Sequence, residues 1–231
     1  MQDEIRYLNS LLYFLGYGNP NEARIFVFGL EEKLTDNNIY DDKIKQIYLS
    51  KYNGKPFYLT NEEIYDKVPE LQEKFNSESE KSHFYKTIAV VCNNVLKRTK
   101  EIKPKELGSE KLPVFLGNYW FISRKGLSTS YTEIEKESFE ENIGLRKRIL
   151  RSFIARILDK NKSYLLTFGA IRTFRHLFDS ADFEFEEIHF HNNLGGRGKF
   201  YYKAKGKNIY LFYHPSFNWL SLTQINSLSF N

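Results

Sequence analysis

The sequence predicts a three-layer α/β/α sandwich around a central, mostly parallel sheet of about four strands, with an antiparallel hairpin near the C-terminal end. Short apolar runs, rich in β-branched and aromatic residues, are typical of strands that are buried on both faces, and they occupy residues 23–30, 113–118 and 163–169. Segments with apolar residues at helical spacing lie between and after these runs, at 82–100, 133–158 and 170–178. Strands that alternate with helices indicate a parallel sheet with a helical layer on each face.

Shorter elements complete the predicted fold. A first helix over residues 4–15 ends at the Gly- and Pro-containing stretch 16–20, and a long polar connection follows the first strand. Two short helical stretches interrupt that connection, at 41–49 and 61–67. Toward the end of the chain the pattern predicts strands at 183–190, 199–203 and 208–213, the last two of which form the hairpin.

The composition is that of one folded domain, which we assign to residues 1–231. A hydrophobic fraction of 41%, with 20 Phe and 16 Tyr, supplies a large apolar core and argues against global disorder. The single cysteine, Cys92, excludes intramolecular disulfides and sites built from several thiolates, so we predict neither a metal nor a cofactor. No apolar run reaches the roughly 20 residues that cross a bilayer, and the acidic first residues are unlike a signal peptide. We therefore expect a cytoplasmic monomer without a membrane partner.

The charge distribution favours a polyanion as the partner. The formal net charge is +5, and residues 144–162 carry seven Lys or Arg against the single acid Asp159. This cluster predicts a local basic face. Such a cluster is most often a solvated helix face, and it becomes a set of phosphate contacts only if the chain binds nucleic acid.

Polar side chains follow the predicted strands at the edge where parallel sheets bind their ligands, outside the carboxyl ends. Glu31 comes shortly after the first strand, Asn118 ends the second, and His214 ends the last. A carboxylate can orient water and stabilise an oxocarbenium-like sugar, an amide can read the hydrogen-bonding edge of a base, and an imidazole can stabilise charge on a departing base. The three groups together are suited to cleaving an N-glycosidic bond.

At these positions the chain resembles the uracil-DNA glycosylase superfamily. The resemblance rests on Glu31 two positions after Gly29, on Asn118 at the end of an apolar strand, and on the run His214-Pro215-Ser216 after another, in the family's order and with its wide spacing. Residues 163–170 are also similar to the family's penultimate core strand and the Gly-led helix that follows it. The resemblance covers roughly residues 12–221.

This resemblance implies a role for each loop. It implies catalysis by Glu31 and His214, with Glu32 as the alternative carboxylate. The residues implied in binding the base are Gly29, Leu30, Asn118, Trp120 and Phe121. The residues implied in binding DNA are Pro215, Ser216, Phe217, Trp219 and Leu220. Among the latter, the Ser216 hydroxyl would grip a phosphate, and Phe217 and Leu220 would enter the double helix in place of the flipped nucleotide.

Two loops depart from the family pattern. Glu32-Lys33 occupies the place where the family usually has a Pro, and Phe217-Asn218 follows the His-Pro-Ser run where a second Pro or a small residue is usual. The excised base therefore remains open among uracil, another deaminated or damaged base, and a modified base in foreign DNA. Without an evident catalytic Lys, we expect hydrolysis and no lyase step. Two further classes of function remain open, namely a nucleic-acid-binding module of the same fold without turnover, and an unrelated α/β enzyme acting on free nucleosides.

Each candidate residue also has a purely structural interpretation. Glu31 can cap a helix N-terminus, and Asn118 and His214 can each satisfy a turn. Trp120 and Phe121 suit the core or a pocket wall better than a specific stacking role.

Overall fold

A computed structural model describes most of the chain: residues 2–29, 41–97, 101–119, 121, 133–158, 163–169, 171–178, 183–189 and 200–213. The helices in these residues are α1 (Gln2–Tyr13), α2 (Asp41–Lys51), α3 (Asn61–Lys67), α4 (Glu70–Lys81), α5 (His83–Leu96), α6 (Glu133–Leu158) and α7 (Ile171–Phe178). The strands are β1 (Phe14–Tyr17), β2 (Ile25–Gly29), β3 (Phe57–Leu59), β4 (Val114–Asn118), β5 (Tyr164–Phe168), β6 (Phe185–His189), β7 (Phe200–Ala204) and β8 (Ile209–Phe212).

All strands of the described residues belong to one eight-stranded sheet, in the order β3-β1-β4-β2-β5-β8-β7-β6. The central strands β4, β2, β5 and β8 are parallel to one another. At one side β1 runs antiparallel to β4, and at the other β7 and β6 add antiparallel strands beyond β8. The predicted α/β fold with a mostly parallel centre is confirmed, but the prediction of about four strands plus a hairpin was wrong about the size of the sheet.

The additional strands carry weak sequence signals. The helical pattern runs on to residue 15, but α1 ends at Tyr13 because Phe14 and Leu15 are buried in different clusters, as successive side chains of a strand are. β3 has three residues, too few to show an alternation. β6 was predicted as a strand, but its pairing with β7 has no local sequence signal.

The helices agree more closely with their predicted bounds. α3 and α6 begin and end at the predicted residues, and Thr60 and Glu63 form a capping box at the start of α3. α4 was not predicted, because its residues are mostly polar and carry only a weak apolar stripe. None of the helices in the described part of the chain is long and apolar enough to cross a membrane.

Side chains alternate between two cores, one on each face of the sheet. Ile25, Val27 and their neighbours in the other central strands pack against α5, whereas Phe26 and Phe28 pack with α6 and α7. Because parallel strands are connected by right-handed crossovers, a chain that moves from β2 to β4 and then back to β5 must place its helices on opposite faces. The point where the strand order reverses lies between β2 and β5, and this is where open α/β sheets bind ligands.

On the α6 face of the sheet, Gly117 of β4 lies directly beside the Phe28 ring of β2. A Cβ built on Gly117 would lie 2.4 Å from Cε1 of Phe28, whose ring is fully buried in the neighbouring strand. The Phe28 ring therefore occupies the space that a side chain at position 117 would need.

We expect Gly117→Ala to lower the free energy of unfolding by about 1–3 kcal/mol, because a methyl group there overpacks the core. Gly144→Ala makes the same substitution at an exposed position inside α6, where the nearest atom lies 3.9 Å away, and it should raise the free energy of unfolding by about 0.5–1 kcal/mol. Urea denaturation followed by circular dichroism measures both. Equal effects of the two substitutions would contradict the packing argument.

Candidate functional site

The carboxyl ends of the four central strands lie side by side at one edge of the sheet. Gly29 is paired with Asn118, and Phe168 is paired with Phe212. With neighbouring strands about 4.8 Å apart, β4 and β8 are separated by roughly 14 Å, and β2 lies between them. The loop predicted to hold the catalytic carboxylate therefore follows a central strand, with Asn118 on one side and the end of β8 on the other.

Asn118 points to the face of the sheet that α5 covers. A Cβ built on Gly29 would lie 3.6 Å from Oδ1 of Asn118 and 3.9 Å from Cζ of Phe84, in the first turn of α5. The bare Gly29 backbone thus separates an amide from the tip of an aromatic ring. Both Asn118 and Phe84 are only partly buried, so each keeps some accessible surface.

Aromatic rings continue from Phe84 across the α5 face of the sheet. Its ring meets Phe168 edge to face at 6.1 Å between centroids, and Phe168 stacks on Phe212 at 5.2 Å. The ring of Tyr201 follows Phe212 at 5.3 Å. Phe168 and Phe212 are each 1% exposed, so these core rings support Phe84 from behind, and the partly buried Phe84 is the ring of this row that a planar ligand could contact.

A fully buried guanidinium holds the backbone at Asn118. Arg146 of α6 has a relative exposure of 1% and donates hydrogen bonds to main-chain carbonyl oxygens at two places. At the end of β4 its Nη2 donates to the oxygen of Asn118 at 2.6 Å and its Nε to that of Tyr119 at 3.2 Å. At the junction of α1 and β1 its Nη1 donates to the oxygens of Leu12 at 3.0 Å and Phe14 at 2.7 Å.

The charge of Arg146 is compensated by dipoles. Burial lowers the pKa of the guanidinium to about 9, because the charged form loses its hydration, so the group still carries its charge at neutral pH. No carboxylate among the described residues pairs with it. The Leu12 carbonyl belongs to the last turn of α1, where the helix dipole is negative and favours a cation.

The structure brings together two of the predicted base-binding residues, Gly29 and Asn118. Phe121, which was predicted with them, is 4% exposed and packs with Leu8 and Leu12 while its ring stacks on Phe139. This is the position of a core side chain. The other predicted site residues lie outside the described residues: Leu30, Glu31, Glu32, Trp120, His214, Pro215, Ser216, Phe217, Trp219 and Leu220.

Two residues of this edge were not predicted from the sequence. Phe84 was predicted only as a residue of the helix at 82–100. An aromatic residue in the first turn of a helix beside a sheet edge is a pattern that could have indicated a ligand contact. Arg146 was counted in the basic cluster and expected at the surface, which was wrong. Nothing in the sequence around it indicates burial, because the carbonyl oxygens that it binds belong to distant segments.

The other described residues of the basic cluster are distributed along α6, starting at this edge. Arg146 lies level with the end of β4, and further along α6 Phe153 packs against Phe26 and Phe115 near the strand starts. Lys147, Arg148, Arg151 and Arg156 are exposed along this second half of α6. Arg151 also donates from Nε to the carbonyl oxygen of Leu177 at 3.0 Å. The exposed basic side chains thus begin level with this edge, at Lys147 and Arg148, and continue along α6 toward the strand starts.

The described residues include no group of three or more His, Cys, Asp or Glu side chains that could hold a metal ion. Complete burial raises the pKa of the Cys92 thiol, which leaves it protonated and unreactive in the core.

No protein-family model, curated protein or solved structure matches this chain.

We expect Arg146→Met to lower the free energy of unfolding by about 3–5 kcal/mol, because it removes four hydrogen bonds from buried carbonyl oxygens. Arg24→Met is the matched control: Arg24 is exposed just before β2, and the change should stay within about 0.5 kcal/mol. Thermal and urea unfolding of both variants measure the difference. A loss for Arg146→Met as small as that of the control would contradict the assigned role.

Proposed function

We propose that this chain is a monofunctional DNA glycosylase that hydrolyses the N-glycosidic bond of a flipped base. One observation carries the proposal: the strand register sets the Asn118 amide beside Gly29 and the Phe84 ring at the carboxyl edge, next to the point where the strand order reverses. An amide next to an aromatic ring is an arrangement that reads the edge of a base and stacks on its face.

Each group at this edge has a different role in the proposed pocket. The Asn118 amide offers a hydrogen-bond donor and an acceptor to the edge of the base. Gly29 has no side chain and leaves room for the ring of the base, while Phe84, supported by the buried ring of Phe168, forms the wall on the α5 side. The Arg146 guanidinium fixes the main chain on which Asn118 is carried.

Hydrolysis is assigned to residues that follow β2 and β8. Glu31, or Glu32 in its place, orients the attacking water and stabilises positive charge on the sugar. His214 stabilises negative charge on the departing base. The support for this assignment is the position of two strand ends. Gly29 ends β2, two residues before Glu31, and Phe212 ends β8, two residues before His214. Both strand ends lie at the same edge of the sheet.

DNA contacts are assigned to the segment after β8. Ser216 binds a phosphate, and Phe217 and Leu220 fill the space that the flipped nucleotide leaves. The exposed basic side chains of α6 begin level with the carboxyl edge at Lys147 and Arg148 and run away from it along the helix, and the proposal does not depend on them.

The central test is release of free base. Duplex and single-stranded oligonucleotides that contain uracil, deaminated, oxidised, alkylated or enlarged bases are incubated with the protein, and the released bases are identified by mass spectrometry. We expect one class of modified base to be released and an abasic site to remain. Glu31→Gln should lower kcat by about 10²- to 10⁴-fold, with Glu32→Gln as the matched control.

The other outcomes identify the alternatives. A larger loss in Glu32→Gln than in Glu31→Gln would move the catalytic role by one residue. Binding of DNA without any release by the wild-type protein would contradict the enzyme and favour a binding module. Release from free nucleosides but not from DNA would favour a nucleoside hydrolase.

A series at Gly29 tests where the base lies. Gly29→Ala places a methyl group at ordinary contact distance from Asn118 and Phe84, so the protein should fold and its excision should fall only slightly. Gly29→Leu extends a branched side chain between the two groups, and we expect excision to be lost while the circular dichroism spectrum is retained. Undiminished excision by a folded Gly29→Leu variant would place the base elsewhere.

A further inference from the structure

We infer that Arg146 is a positioning residue for the candidate site: without touching a ligand, it sets the end of β4 and thereby the direction of the Asn118 side chain. The expected effect on kcat rests on the proposed function, whereas the expected effect on the Asn118 side chain rests on the main-chain geometry alone.

The guanidinium lies where two strands stop pairing. β1 and β4 are antiparallel, with Gly16 opposite Gly117, and the same register continued by two residues places Phe14 opposite Tyr119. At that level the ladder between the two strands is replaced by Arg146, which binds the carbonyl oxygens of Phe14 and Tyr119 from between them. Arg146 therefore determines where β4 ends.

Arg146 also holds the main chain directly after Asn118. Nη2 of Arg146 donates to the Asn118 oxygen at 2.6 Å, and the next amide, that of Tyr119, donates to the Gly29 oxygen at 2.9 Å. The peptide group between Asn118 and Tyr119 is thus held at both of its polar atoms. With this peptide plane fixed, and with Gly117 and Asn118 paired to β2 before it, the Cα–Cβ bond of Asn118 has one direction, toward Gly29 and Phe84.

An arginine is required because the four acceptors belong to different segments and surround the side chain. A guanidinium offers five N–H groups in a rigid fork, and those of Arg146 reach carbonyls in α1, β1 and at the end of β4. A lysine keeps the charge, but its three donors radiate from a single nitrogen and cannot match that fork. Arg146→Lys is therefore the variant that preserves the buried charge and loosens the geometry.

Burial separates this role from direct binding. At 1% exposure, and with its donors directed at main-chain oxygens, Arg146 has no surface that a base or a phosphate could reach. Any effect of Arg146→Lys on excision must therefore pass through the groups that it holds. This makes the prediction sharp, because the effect should disappear when the Asn118 side chain is absent.

The test is a double-mutant cycle with Arg146→Lys and Asn118→Ala, and with Arg24→Lys as the matched exposed control. All proteins are assayed at a temperature at which urea titration shows each to be folded. In the wild-type background Arg146→Lys should lower kcat by about 100-fold with little change in KM. In the Asn118→Ala background the same substitution should change kcat by less than about 3-fold. Arg24→Lys should change neither constant.

An equal loss of kcat in both backgrounds would overturn the inference, because Arg146 would then act without Asn118. An unchanged kcat in a folded Arg146→Lys protein would also overturn it. Arg146→Gln, which keeps two donors without the charge, is tested in parallel, and failure of both variants to fold would assign Arg146 to the fold alone and overturn its positioning role.

A spectroscopic measurement keeps the inference testable if the wild-type protein releases no base. In protein labelled with ¹⁵N-asparagine, the Asn118 side-chain amide is the pair of signals that Asn118→Ala removes. We expect Arg146→Lys to shift or broaden that pair and Arg24→Lys to leave it in place. Signals that are unmoved by Arg146→Lys would overturn the inference, whereas absent excision with shifted signals would overturn only the proposed function.

Discussion

One buried cation joins three segments of this fold that lie far apart in sequence. Arg146 lies in the middle of the longest described helix, yet its hydrogen bonds end α1, begin β1 and end β4. An uncompensated buried charge is among the most costly features of a protein interior. Here the cost is offset because four main-chain carbonyl oxygens accept hydrogen bonds from the guanidinium and point their dipoles at the charge. Three segments therefore have to assemble together around α6.

The candidate site depends on which face of the sheet each residue of β2 and β4 occupies. Gly29 and Asn118 occupy the last paired positions of β2 and β4, and both face α5. A shift of one residue in the pairing would turn Asn118 toward the core on the α6 face, where the Phe28 ring already fills the space beside Gly117. The tight contact between Phe28 and Gly117 thus excludes the alternative register. The packing of Phe28 on the α6 face therefore sets the register that places Asn118 on the α5 face.

The sequence predicted those features that arise from local pattern. Buried parallel strands are short apolar runs, and α6 is a long segment with apolar residues at helical spacing in its second half, so both could be recognised without knowledge of the fold. Asn118 was predicted because it is a polar residue at the end of such a run. β1 and the pairing of β6 could not be predicted, since each depends on a partner that is distant in sequence. Arg146 was misassigned for the same reason: a basic residue among others of its kind predicts solvent, and only the three-dimensional arrangement supplies its acceptors.

The N-terminal segments are accordingly part of the edge that carries the site. α1 and β1 pack with α2 and β3 in a cluster of their own, which could be taken for an addition to one side of the parallel sheet. Their main-chain oxygens, however, supply half of the acceptors of Arg146, and the other half belong to the end of β4. A movement of α1 would change the position of the guanidinium, and the guanidinium fixes the peptide plane after Asn118. The first helix and the candidate base-reading residue therefore share one rigid connection, although more than a hundred residues separate the helix from Asn118 in sequence.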